Sequence, residues 1–327
     1  MNKLGRNLGI GFVGVSAAAL LSAAPQNWEL GVGYTTKDAD IDEIDVQEDN
    51  FSLRAAYYFQ SFDPSGRSIH EAPFIDRSSY VKFGMDIEEL DDDIDNLVDT
   101  DVYSISGAWI DPKYGWYGKA AYVDADADIS GGETPSVAVV GYNPAYDGYS
   151  LAVGKYVAEN TTLELEYTKM DVEGDFFILD GAGGSKTDLI GLGFKHFGRL
   201  TDSIGFSFEG SYSFVDVDVA DFDDLDDDPF DSSGEVYDFT FTVYPVRELA
   251  VGFSYSDADD LMGTPYFSTS SMVQDGFGLF GEWYFTESFS LSALYNDQSY
   301  DISNPDDFND PGNVESDSLL FAAKYRF

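Results

Sequence analysis

A chain of 327 residues with 43% hydrophobic composition can bury a sizeable core, and its 61 acidic against 17 basic side chains set a formal charge of −44. That charge excludes nucleic acid as a partner, since phosphate binding needs basic patches, and attracts cations instead. The lack of cysteine excludes disulfides, thiol nucleophiles and Cys-ligated metals.

The first element is a leader. Residues 1–7 carry Lys3 and Arg6, residues 8–21 are apolar and small, and Ser22, Ala23 and Ala24 offer the small residues that a signal peptidase reads, just before Pro25. This predicts a cleaved secretory signal peptide over 1–24, followed by one domain over 25–327. Its removal takes the charge from −44 to −46, because Lys3 and Arg6 leave and no acid does. Beyond it no apolar run reaches the roughly 18 residues of a membrane-spanning helix, so any crossing is by strands. The 32 Gly, 22 Tyr and 26 Phe suit strands with aromatic girdles.

From Trp28 onward a unit of about ten alternating apolar and polar residues repeats. Trp28, Leu30, Val32 and Tyr34 open the series; Phe51 to Phe59, Val81 to Ile87, Tyr103 to Trp109 and Trp116 to Tyr122 continue it in steps of two. Further strands follow around Leu151, Leu163, Ile190, Phe206, Phe239, Val251, Leu279 and Leu291, and the series ends at Leu319, Phe321, Ala323, Tyr325 and Phe327. The count is fourteen. Short connections, such as Asp111-Pro112-Lys113 and Thr286-Glu287-Ser288, alternate with long ones at 37–49, 89–100, 125–147, 172–186, 217–233, 257–273 and 298–315. One short-side connection, 62–77, is overlong. Even strand number with short turns on one side and long loops on the other is the pattern of an all-β, transmembrane antiparallel barrel of the outer membrane, with both termini on the periplasmic side. A soluble sandwich or propeller also alternates, but a face of Gly, Ser, Thr and charges kept over fourteen strands would be a poor core.

If the bulky face meets lipid, the other face meets the lumen. The charged residues on it are Glu29, Arg54, Lys82, Lys119, Glu164, Glu166, Lys195, Glu209, Asp238, Glu282, Lys324 and Arg326, which are predicted to line a pore. Both signs occur. Opposed patches would set up a transverse field that selects polar solutes; the alternative is simple pairing between neighbouring strands. The acidic excess falls in the predicted loops and forms an outer mouth that includes Asp91, Asp92, Asp93, Asp223, Asp224, Asp226, Asp227 and Asp228. This ring suits cation selectivity, hydration in a salty habitat, or bridging of divalent cations to anionic lipopolysaccharide.

The run DADADISGGE at 124–133 starts like a calcium loop with Asp124, Asp126 and Asp128, but Ile129 stands where Gly is required and Pro135 where the bidentate Glu should be. It reads as loop, and no cofactor is expected beyond loosely held divalent cations. Catalysis has little to work with: His70 falls in the 62–77 connection and His196 on the lipid-facing register, neither at the outer rim. The first strand follows the leader directly, which leaves no N-terminal plug domain for a gated importer.

The ending KYRF, with Tyr325 and terminal Phe327, resembles the C-terminal signature of outer-membrane proteins that the barrel assembly machinery reads. The segment YYFQSFDPSGRSIHEAPFIDRSSYVKFG at 57–84 resembles the stretch joining the second and third strands in porins of marine gammaproteobacteria, which carry an EAAFLNRAS-like run; Pro73 and Ile75 depart from it. The resemblance covers the whole chain in pattern and about twenty residues in detail. It implies a Gram-negative outer-membrane location and passive diffusion of small hydrophilic solutes and ions. General porins are often homotrimers of 16 strands with a constricting loop, so 16 strands and a trimer stand as alternatives, and 125–147, apolar at VAVVGY, is the candidate for an inward loop. The predicted function is a cation-preferring porin; the alternative is a structural or adhesive barrel whose acidic loops hold divalent cations or surface partners.

Overall fold

The computed structural model describes residues 26–41, 44–62, 68–92, 97–130, 145–175, 182–201, 203–219, 231–259, 271–303 and 313–327. Their elements in chain order are β1 (Gln26–Ile41), β2 (Ile44–Phe62), the one-turn helix α1 (Ala72–Ile75), β3 (Tyr80–Asp92), β4 (Leu97–Ile110), β5 (Trp116–Ser130), β6 (Ala145–Ala158) and β7 (Thr161–Asp175). The second half continues with β8 (Ala182–Arg199), β9 (Gly205–Val219), β10 (Asp231–Val246), β11 (Leu249–Asp259), β12 (Ser271–Tyr284), β13 (Phe289–Ser303) and β14 (Asn313–Arg326). Each strand pairs antiparallel with its chain neighbours, and β14 returns to β1, closing a fourteen-stranded barrel. Closure leaves no edge, so every ladder group finds a partner without water, the condition for strands to cross a bilayer. At the seam the Trp28 N–H donates to the Phe327 carbonyl and the Phe327 N–H to the Trp28 carbonyl, each at 2.9 Å.

The outer wall is apolar where the lipid would lie. Trp109 and Leu192 are 65% and 64% exposed, and Ile190, Phe214 and Phe321 are more than half exposed, which a water-facing surface would not tolerate in such density. Neighbouring rings brace one another across strands, as in Trp28 against Tyr57 at 4.8 Å and Phe208 against Phe239 at 4.9 Å.

Toward the end away from the termini the outward face turns from apolar to acidic. Beyond the tyrosines, the outward residues of β5, β6 and β7 are Asp124, Asp147 and Asp171, directly opposed in register. Inward at that level stand the buried Val102, Ala125 and Val215, together with Asp86, which faces Val102 in register, and Glu88, which accepts from the Asn50 amide at 2.9 Å. Tyrosine hydroxyls on the outward face donate to these carboxylates: Tyr34 to Asp49 at 2.8 Å, and Tyr255 to Asp257 at 2.9 Å and Asp275 at 3.0 Å.

Pairing that continues through these acidic stretches corrects the loop boundaries expected from sequence. Instead of long loops at 37–49 and 89–100, β1 and β2 stay paired out to Ile41 and Ile44, and β3 and β4 out to Asp91 and Leu97. The Asp124-Asp126-Asp128 run is strand too, on β5. Aspartate disfavours strands because its carboxylate competes for backbone groups, but on a hairpin already paired on both sides the ladder wins, and Asp124 and Asp126 fall on the outward face. Asp91 and Asp92 lie in β3, while Asp93, Asp223, Asp224, Asp226, Asp227, Asp228 and the VAVVGY run lie outside the described residues, as does the leader.

At the terminus-bearing end the turns are tight. The link from β4 to β5 is closed by Gly115 in the left-handed region at φ 72°, its N–H donating to the Asp111 carbonyl at 2.8 Å. The buried side chains that form hydrophobic clusters lie at this end, around an inward-folded segment.

Candidate functional site

The overlong connection between β2 and β3 folds into the barrel. Residues 68–79 enter the lumen, with Ile69 and Ala72 fully buried and Ser78 1% exposed. Pro73 sits in the first turn of α1, where its missing N–H costs nothing, and the helix ends after one turn because Arg77 adopts φ 53° and turns the chain back. A four-residue helix has little stability of its own, so contacts with the wall hold it.

Those contacts reach much of the way round the barrel. The Arg326 guanidinium, 3% exposed, donates through Nη1 to the Ile69 carbonyl at 2.9 Å and through Nε to Glu29 at 2.6 Å. His70 Nδ1 lies 2.8 Å from Glu282 Oε2, and Lys324 pairs with the same carboxylate at 3.0 Å. Glu71 accepts from the Tyr244 hydroxyl at 2.5 Å and pairs with Lys195 at 3.3 Å. The Tyr156 hydroxyl donates to the Phe74 carbonyl at 2.9 Å, and the Arg77 guanidinium lies 4.4 Å over the Tyr156 ring. Ring packing adds His70 on Tyr284 at 4.9 Å and Phe74 on Tyr156 at 5.4 Å. The segment therefore bridges β6, β8, β10, β12 and β14.

Above this bridge lies a cavity of about 650 Å³. Ten of the twelve residues singled out on the polar face line it: Glu29, Lys82, Lys119, Glu164, Glu166, Lys195, Glu209, Asp238, Lys324 and Arg326. Arg54 stands elsewhere on the inner wall, with its Nη2 2.7 Å from both carboxylate oxygens of Asp86. Glu282 is taken up in the His70 and Lys324 contacts and receives the Ser290 hydroxyl at 2.7 Å. Cross-strand pairing accounts for much of the wall charge: Lys119 with Glu164 at 2.7 Å and Lys195 with Glu209 at 3.2 Å. The segment contributes His70, Glu71, Pro73, Phe74 and Ser78 to the lining, and the strands add the rings of Tyr58, Tyr80, Tyr117 and Tyr156.

Sequence reasoning placed His70 in a periplasmic connection and missed that this connection enters the lumen. Its length was the only signal, since four helical residues carry no readable period. His196 is on β8, its Nδ1 2.9 Å from the Thr161 hydroxyl and its ring against Phe206 on the outward face. Tyr325 and Phe327 stack at 5.8 Å beside the seam. Among the described residues, no group of three or more His, Asp or Glu is arranged to hold a metal ion.

A closed fourteen-stranded antiparallel barrel with an apolar outer belt and a charged lumen defines a transmembrane β-barrel of the outer-membrane type. Solved structures agree on the fold. The Acinetobacter baumannii outer membrane protein Omp33 matches at TM-score 0.52 and 16% identity, over 93% of this chain and all of that one. A bacterial polysaccharide outer membrane secretin matches at TM-score 0.50 and 11% identity, over 93% of this chain and all of that one. No protein-family model matches the chain, and no curated protein matches it by sequence.

Proposed function

We propose that this protein is a porin of a Gram-negative outer membrane, a water-filled channel for passive diffusion of small hydrophilic solutes and ions, with preference for cations and with residues 68–79 as its periplasmic gate. The observation that carries this reading is the 650 Å³ lumen cavity walled by charges of both signs inside a barrel whose outside is apolar. Isolated charges facing lipid would cost about 2–4 kcal/mol at the bilayer midplane, so charge on the inner wall fits a hydrated passage. The acidic outer end supports cation preference by raising the local cation concentration. A barrel enzyme fits less well: His70 faces an acid, but its Nε2 has no hydrogen-bond partner among the described residues, so no hydroxyl completes a nucleophile–imidazole–acid chain.

The test is the reversal potential of the refolded protein in a planar bilayer under a KCl gradient. The expected result is steady conductance with a cation-selective potential that moves toward zero when Asp223, Asp224, Asp226, Asp227 and Asp228 are changed to Asn. Complete absence of conductance from a folded barrel would refute the channel and leave the structural or adhesive reading.

A further inference from the structure

Most ammonium groups around the cavity are matched to carboxylates: Lys119 to Glu164 at 2.7 Å, Lys195 to Glu71 and Glu209 at 3.3 and 3.2 Å, and Lys324 to Glu282 at 3.0 Å. Lys82, on β3, is different. Its Nζ lies 4.6 Å from the centre of the Tyr80 ring, and no carboxylate pairs with it among the described residues. An aromatic face contributes about 0.5–2 kcal/mol to a cation and leaves the ammonium's three N–H donors without a charged acceptor.

Two carboxylates show the converse. Glu166, on β7, accepts from the Ser150 and Thr168 hydroxyls at 2.5 and 3.4 Å, and Asp238, on β10, accepts from the Ser211 hydroxyl. Neither pairs with a cation among the described residues. Hydroxyls orient a carboxylate without neutralising it. All three groups line the same cavity, together with the rings of Tyr58, Phe74, Tyr117 and Tyr156. Its 650 Å³ falls within the roughly 300–1,000 Å³ of small-molecule sites.

We propose that the cavity is a binding site for small zwitterions of amino-acid or dipeptide size, taking the solute's carboxylate at Lys82 and its ammonium at Glu166 or Asp238. The site deepens the channel reading and rests on it. A solute with one charge satisfies one wall and meets the field of the other, whereas a zwitterion exchanges water for a partner at both ends.

The experiment is isothermal titration calorimetry of the refolded full-length mature chain in detergent with glycylglycine, N-acetylglycine, which lacks the ammonium, and glycylglycinamide, which lacks the carboxylate. Glycylglycine is expected to bind at least tenfold tighter than either control. Lys82→Met should lose that tenfold advantage over glycylglycinamide while Lys82→Arg keeps it within threefold, and the Glu166→Gln, Asp238→Asn double variant should erase the advantage over N-acetylglycine. Glycylglycine binding no tighter than both controls, or an unchanged affinity in folded Lys82→Met, overturns the site. Heat of binding does not require conduction, so a silent bilayer recording removes the channel reading alone.

Discussion

Replacing Glu71 with Ala should open the lumen. This carboxylate is 7% exposed and joins the inward segment to two strands, through the Tyr244 hydroxyl at 2.5 Å and Lys195 at 3.3 Å. A hydrogen bond to a charged group contributes about 1.5–3 kcal/mol. The Lys195 contact adds less, on the order of 0.5 kcal/mol, because that ammonium keeps Glu209 at 3.2 Å. Glu71 makes no side-chain cap on α1, so the helix loses nothing further. Tyr244 keeps Ser207 at 2.9 Å, so the vacated wall is not left wholly unsatisfied. Docking of the segment should weaken by about 2–3 kcal/mol, which at 1.4 kcal/mol per decade shifts the docked–undocked ratio roughly 30- to 150-fold. Single-channel recording reads this as a rise in the fraction of time spent open, with unit conductance unchanged in the open state. An open fraction within twofold of the unaltered protein, in a variant that still runs as a folded barrel on unheated gels, would show that residues 68–79 are a fixed wall and not a gate.

Two further outcomes follow from packing and charge. Gly154→Ala should destabilise the barrel by about 1–3 kcal/mol, because a Cβ there would meet Tyr117 Cζ at 2.2 Å and that buried ring is held against Tyr156, 5.8 Å away; the urea midpoint measures the loss, and an unchanged midpoint would mean that the ring can move. Added salt should raise the unfolding temperature in detergent, with the gain per increment largest at low salt and continuing toward about 1 M, where the screening length falls to about 3 Å and cuts repulsion between side chains about 5 Å apart such as Asp124 and Asp147 or Asp257 and Asp275. A temperature that falls with salt would mean that the ion pairs of the lumen outweigh the outer carboxylates.

The strands were legible because lipid outside and water inside impose a period of two on every crossing, and a one-residue slip would put Lys82 or Lys119 into hydrocarbon. Strand number and closure followed from counting and parity alone. The inward segment was not legible for a different reason. Its shape depends on partners far away in the chain: Glu71 meets Lys195 and Tyr244, His70 meets Glu282, and the Ile69 carbonyl meets Arg326. None of these pairings has a local pattern. The selection of Lys82, Glu166 and Lys195 as inner-wall residues needed only alternation, whereas which of them are matched by counter-charges depended on register across the sheet and on the segment that folds against them.

The acidic composition has a related explanation. Read as loop, the Asp-rich runs look like a ring around the pore entrance, but on the strands that continue through them the carboxylates of Asp124, Asp147 and Asp171 share the outward face with Tyr122 and Tyr149, one step closer to the aqueous end. Carboxylates there would be prohibitive in hydrocarbon, so the step from tyrosine to aspartate marks the height at which lipid gives way to water. Above that step the outer face is acidic, while the inner face mixes the buried Val102, Ala125 and Val215 with the charges of Asp86 and Glu88. The carboxylates of Asp124, Asp147 and Asp171 thus lie on the outer face of the strand ends, and any cation enrichment they produce surrounds the barrel instead of acting only within the pore.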